Sequence, residues 1–147
     1  MDLTENFTLE EMCKSAYAIR QGIDNTPNEE QKENLRLLCI NILQLLRNSI
    51  GIPVHIDSGF RNFEVNAAIG GAKTSQHTEG KAADITTAYY EPRKLADIIV
   101  KLGISFDQLI LEFDEWVHIS YNKDGNRNEL LYATKIGGVT KYAPLQL

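Results

Sequence analysis

The stretch Ser75-Gln76-His77-Thr78-Glu79-Gly80-Lys81-Ala82-Ala83-Asp84 brings a histidine, a glycine and an aspartate together at the point where a loop becomes a strand. Residues 70–80 are glycine-rich and polar and read as a loop; residues 82–87 read as a strand. The chain has only three histidines, His55, His77 and His118, so any metal site must also draw on carboxylates. His118 shares a strand face with Trp116 and Ser120, while Val117, Ile119 and Tyr121 point the other way. His77, Asp84 and His118 together suit zinc: two neutral imidazoles and one carboxylate, with a fourth tetrahedral position open to water. Spacing alone does not establish that site. A surface-loop histidine and a turn-capping aspartate account for the same residues.

Working outward, the N-terminal third reads as two helices. Thr8 and Glu11 form a capping box, with Phe7 and Met12 placed as a hydrophobic staple, and the helix should run to Arg20. Thr26, Pro27 and Glu29 cap a second helix ending at Gly51, whose buried face is Leu35, Leu38, Cys39, Ile42, Leu45 and Leu46. Strand alternation follows at 53–58, then a short helix at 62–69 and a third amphipathic helix at 92–102. Residues 106–113 and 116–121 read as strands joined by a tight turn at Asp114-Glu115, and 130–136 as a further strand before Gly137-Gly138. Helices first and strands later give an α+β chain.

Composition bounds the rest. A length of 147 residues fits a single domain, 1–147. A net charge of -5 argues against nucleic acid as a partner. The acidic start, Met1-Asp2-Leu3-Thr4-Glu5-Asn6, has no apolar core of a signal peptide, and no apolar run is long enough to span a membrane. The expectation is cytoplasmic synthesis without membrane insertion. Cys13 and Cys39 fall on apolar helix faces and read as buried free thiols.

The ten residues from Ser75 to Asp84 match Ser-x-His-x-x-Gly-x-Ala-x-Asp, and Glu115-Trp116-Val117-His118 matches Glu/Asp-x-x-His. Both motifs resemble those of the zinc D-Ala-D-Ala carboxypeptidase-like peptidases, which share the hedgehog/DD-peptidase fold. Ser58-Gly59-Phe60-Arg61 resembles the segment carrying that family's substrate-binding arginine. The flanking Gly70-Gly71-Ala72-Lys73-Thr74, the strand Phe106-Asp107-Gln108-Leu109-Ile110 and the run Gly22-Ile23-Asp24-Asn25-Thr26-Pro27 are similar to small phage-type members. The resemblance extends from about Phe7 to Tyr121.

The resemblance implies an α+β fold with N-terminal helices packed on a small, mainly antiparallel sheet that bears one zinc per chain. His77, Asp84 and His118 would hold the ion, and Glu115 would be the general base. Arg61 would grip the peptide and the developing oxyanion. Ser75 would touch substrate or support the site, with Trp116 and Gln108 lining the cleft. On a regular strand, though, Glu115 falls opposite His118 and must lie in the turn to serve. Glu112 reads as a surface carboxylate, and His55 and Asp57 as a solvated strand face. No histidine stands near Phe113 or Asp114, where some relatives carry one. The implied activity is hydrolysis of peptidoglycan stem peptides or cross-links at or beside a D-amino acid, as a carboxypeptidase or endopeptidase. A phage endolysin of that kind would be a monomer that reaches the wall through a holin-type membrane protein. The alternative is a catalytically weak, assembly-associated domain of a phage particle.

Overall fold

The N-terminal periodicity resolves into two short helices rather than one in the computed structural model, which describes residues 1–147. Thr8 caps α1 (Leu9–Cys13) by accepting from the Glu11 amide. The chain then extends at Lys14, and the Ser15 hydroxyl accepts from the Ala18 amide to start α2 (Ala16–Gln21). A serine hydroxyl competes for first-turn amides in this way. The break leaves the Met12 carbonyl free to accept from the Phe60 amide at 2.7 Å.

The next helix begins later than Thr26. Asn28 caps α3 (Glu29–Leu38) in a reciprocal box with Gln31, while the Thr26 amide turns back to the Asp24 carboxylate. A π-helical turn, Cys39–Leu43, passes into α4 (Gln44–Ile50), and Gly51 closes it with positive φ. The wider turn rotates everything after it. Leu43 is therefore buried and Leu45 is exposed, where an unbroken 3.6-residue period had placed Leu45 inside.

Six strands form one sheet in the order β1-β2-β4-β3-β5-β6. They are β1 (His55–Ser58), β2 (Ala82–Thr86), β3 (Gln108–Glu112), β4 (Trp116–Ser120), β5 (Glu129–Ile136) and β6 (Val139–Pro144). Every pairing is antiparallel except β3 with β5. The sixth strand was unread from sequence because its side chains are almost all exposed and carry no alternation. Between β1 and β2 lie α5 (Phe63–Ala68) and a 3₁₀ turn, Gln76–Glu79; α6 (Pro92–Lys101) connects β2 to β3.

Alternation divides the sheet into two chemistries. Ile56, Ala83, Ile85, Leu109, Leu111, Val117 and Ile119 face a core completed by Leu35, Leu38, Ile42 and Leu46 from the helical pair and Leu95 and Ile99 from α6. The opposite face carries Asp84, His118 and Ile110 side by side across β2, β4 and β3. No helix is long and apolar enough to cross a membrane. The fold is thus α+β, with N-terminal helices packed on a largely antiparallel sheet.

Candidate metal centre

Asp84 and His118 are direct cross-strand partners, so their side chains leave the sheet together. His77 must reach them from outside the sheet, and its placement depends on α3. Gln31 Nε2 donates to the Thr78 carbonyl at 3.1 Å and Asn34 Nδ2 to the Glu79 carbonyl at 2.9 Å, pinning the 3₁₀ turn. Ser75 caps that turn by accepting from the His77 amide. Gly80 ends it at φ +75, and a Cβ there would lie 2.5 Å from the Gln31 carbonyl oxygen. Only glycine fits both demands.

The three side chains are buried, and their candidate ligand atoms lie within 4.8 Å of one another. His77 Nε2 is 3.2 Å from Asp84 Oδ1, and His118 Nδ1 is 3.1 Å from the same oxygen. His77 Nδ1 lies 2.7 Å from the Gly59 carbonyl, an obligate acceptor, so the ring proton sits on Nδ1. Nε2 then presents a lone pair to a carboxylate oxygen. Two acceptors that close require a cation between them, either a proton or a metal. Burial pushes the His77 pKa down, against the pull of Asp84, and so disfavours the imidazolium. Asp84 keeps its charge: burial opposes ionisation, but the two imidazoles beside it hold its pKa low. A divalent ion fits this donor set. The Gly59 carbonyl supplies the outer hydrogen bond that orients a ligating histidine.

The cleft above these atoms has a volume of about 470 Å³. Arg61, Ser75, Trp116 and Gln108 all line it together with the cluster. The Arg61 amide donates to the His77 carbonyl, and its Nη2 approaches Ser75 Oγ at 3.5 Å. The Nε–H of Arg61 and the indole N–H of Trp116 are buried without an acceptor. Burial lowers the Arg61 pKa, with Asp84 and Glu112 opposing. Gln108 bonds Glu129 at 2.6 Å. Asp57 is taken by Thr86 and His55, and both it and His55 stay outside the cleft.

Glu115 is not in the cleft. It is exposed in the β3–β4 turn, where its amide bonds the Glu112 carbonyl. Glu112 takes the place expected of it: the carboxylate lines the cleft and lies 3.7 Å from His118 Nδ1. Burial, then the charge of Asp84, push its pKa up to about 6. The reason is register. A turn of Asp114-Glu115 alone would set Glu112 opposite Val117 on the core face. The turn in fact spans Phe113 to Glu115, so Glu112 pairs with Trp116 and Ile110 with His118. A one-residue slip moves every side chain to the other face. Phe113 and Asp114 both adopt positive φ to close this turn, and Phe113 packs edge-on against Trp116 at 5.6 Å. Even parity between Glu112 and His118 was the available signal, and it is readable only once turn length is known.

No curated protein matches the chain. The family model described as Peptidase M15 matches residues 5–120, a span that contains α1 through β4 and all three ligands. The chain therefore belongs to the Peptidase M15 family, with the His–Asp–His cluster of a zinc metallopeptidase.

Proposed function

We propose that the chain hydrolyses peptide bonds of bacterial peptidoglycan, in stem peptides or cross-links, at or beside a D-amino acid. The observation that carries this reading is the Glu112 carboxylate, 3.7 Å from His118 Nδ1 and opening onto the same cleft as Arg61. Zinc, one per chain, would acidify a coordinated water and polarise a substrate carbonyl. Glu112 takes the proton of the attacking water and returns one to the leaving amine. Its raised pKa and protected position suit a group that must both accept and donate. The buried, unpaired N–H groups of Arg61 and Trp116 await substrate oxygens. Arg61 holds a peptide carbonyl or terminal carboxylate and steadies the charge developing on the tetrahedral oxygen.

In this reading the enzyme is a monomer of phage-lysis type, made in the cytoplasm and admitted to the wall by a holin-type membrane partner. The test is mass analysis of purified peptidoglycan after incubation with wild type, Glu112→Gln and chelated protein. Opening of one defined peptide bond by wild type alone supports the proposal. Intact walls of several chemotypes after treatment with zinc-loaded protein would overturn it and favour an assembly-associated domain.

A further inference from the structure

The far wall of the cleft comes from outside the family match. Residues 5–120 end with β4, whereas Leu131, Lys135, Thr140 and Tyr142 of the β5–β6 hairpin also line the cavity. Register explains how. Glu112 on β3 pairs with Ala133 on β5, which pairs with Tyr142 on β6. Ala133 is small and fully buried between them, and Glu112 and Tyr142 both line the cleft. Two residues on, Lys135 pairs with Thr140 on the same face. The Lys135 ammonium stands 5.7 Å from the centre of the Phe113 ring, engaged with an aromatic wall rather than a carboxylate. Burial, then the Glu112 charge, raise the pKa of Tyr142, so its hydroxyl remains a donor. The hairpin edge therefore offers one cation and two hydroxyls. Arg61 follows β1, at the other edge of the sheet, and the metal ligands lie between.

We propose that the β5–β6 hairpin forms a substrate subsite in which Lys135, flanked by Thr140 and Tyr142, binds a carboxylate carried inside the peptide, away from the group that Arg61 holds. This subsite rests on the peptidase reading above. It makes the enzyme selective between peptides that differ only in amidation of an acidic residue.

The probes are two synthetic stem-type pentapeptides, L-Ala-γ-D-Glu-L-Lys-D-Ala-D-Ala with the D-glutamyl α-carboxylate free and the same peptide with it amidated. With the zinc-loaded full chain, kcat/KM should be about fivefold higher for the free acid, the scale of a solvent-accessible ion pair. Lys135→Gln should bring the ratio to about one, Lys135→Arg should retain it, and Lys135→Glu should invert it. Raising the salt concentration should narrow the wild-type ratio by screening. Kd for both peptides is measured in parallel by calorimetry on zinc-loaded Glu112→Gln, with and without Lys135→Gln. If wild type cleaves neither peptide, that counts against the peptidase reading, and the subsite is then judged on calorimetry alone. Equal affinity for the two peptides, or a preference that survives Lys135→Gln, overturns the subsite.

Discussion

Glu112 and Glu115 are the same residue type three positions apart, yet only the first opens on the cleft. Replacing Glu112 by Gln keeps the shape and removes the proposed proton acceptor. It should lower kcat/KM by about 10³-fold while bound zinc stays near the wild-type amount. Glu115→Gln should leave kcat/KM within about twofold, and a steady-state comparison of the two variants with metal analysis separates them. Gly80 is the other single residue on which the site turns. An alanine there meets positive φ and the Gln31 carbonyl together. Gly80→Ala should cost about 2–3 kcal/mol in denaturant unfolding and weaken zinc binding, because the displaced turn carries His77. The ligand triad was legible through the two family motifs that carry it, not from spacing alone. That Glu112, and not Glu115, lines the cleft was not legible, because the face it occupies depends on the length of a turn.

Among elements, the 3₁₀ turn is held from two sides. Gln31 and Asn34 of α3 grip its carbonyls. On the other side the buried Asp107 carboxylate accepts from Gln76, and from the amide and guanidinium of Arg127. Hydrogen bonds from Arg127, with burial opposing, push the Asp107 pKa down to about 2, against an ordinary value of 3.8. The folded chain thus resists a proton that the unfolded chain accepts. This stabilisation is present above about pH 4 and is lost as pH falls toward 2. It amounts to about 1–2 kcal/mol, allowing for the exposure of Arg127. Acid titration of unfolding free energy should show that loss in wild type and a flatter profile in Arg127→Gln. Elements with strong periodicity, such as α6 with Leu95 and Ile99 inside, were read from sequence to within a residue at the C-terminus. The break at Ser15, the π-helical turn and β6 were not. Each is set by a competing hydrogen bond or a tertiary neighbour rather than by hydrophobic pattern.

Across the whole molecule, the metal centre ties together parts distant in sequence. Met12 accepts from Phe60, the neighbouring Gly59 accepts from His77, and His77 meets Asp84 and His118 of the sheet. Ion binding should therefore stabilise the entire fold. At free zinc 100 times its Kd the gain is about 2.7 kcal/mol, seen as a rise in Tm that chelator reverses. His77→Ala and His118→Ala should abolish the zinc-dependent rise, whatever their Tm without metal. Chemistry-bearing identities, local caps and the change from helical to strand period are properties of the chain alone, because each depends on neighbours within a few residues. The sequence thereby determined the α+β class, and its family motifs named the ligand set. Which carboxylate joins that set, and what forms the far wall of the cleft, were decided only in three dimensions. Strand register and the pairing of β5 and β6 onto β3 depend on contacts between residues far apart in the chain, and a single-residue slip exchanges one face of the sheet for the other.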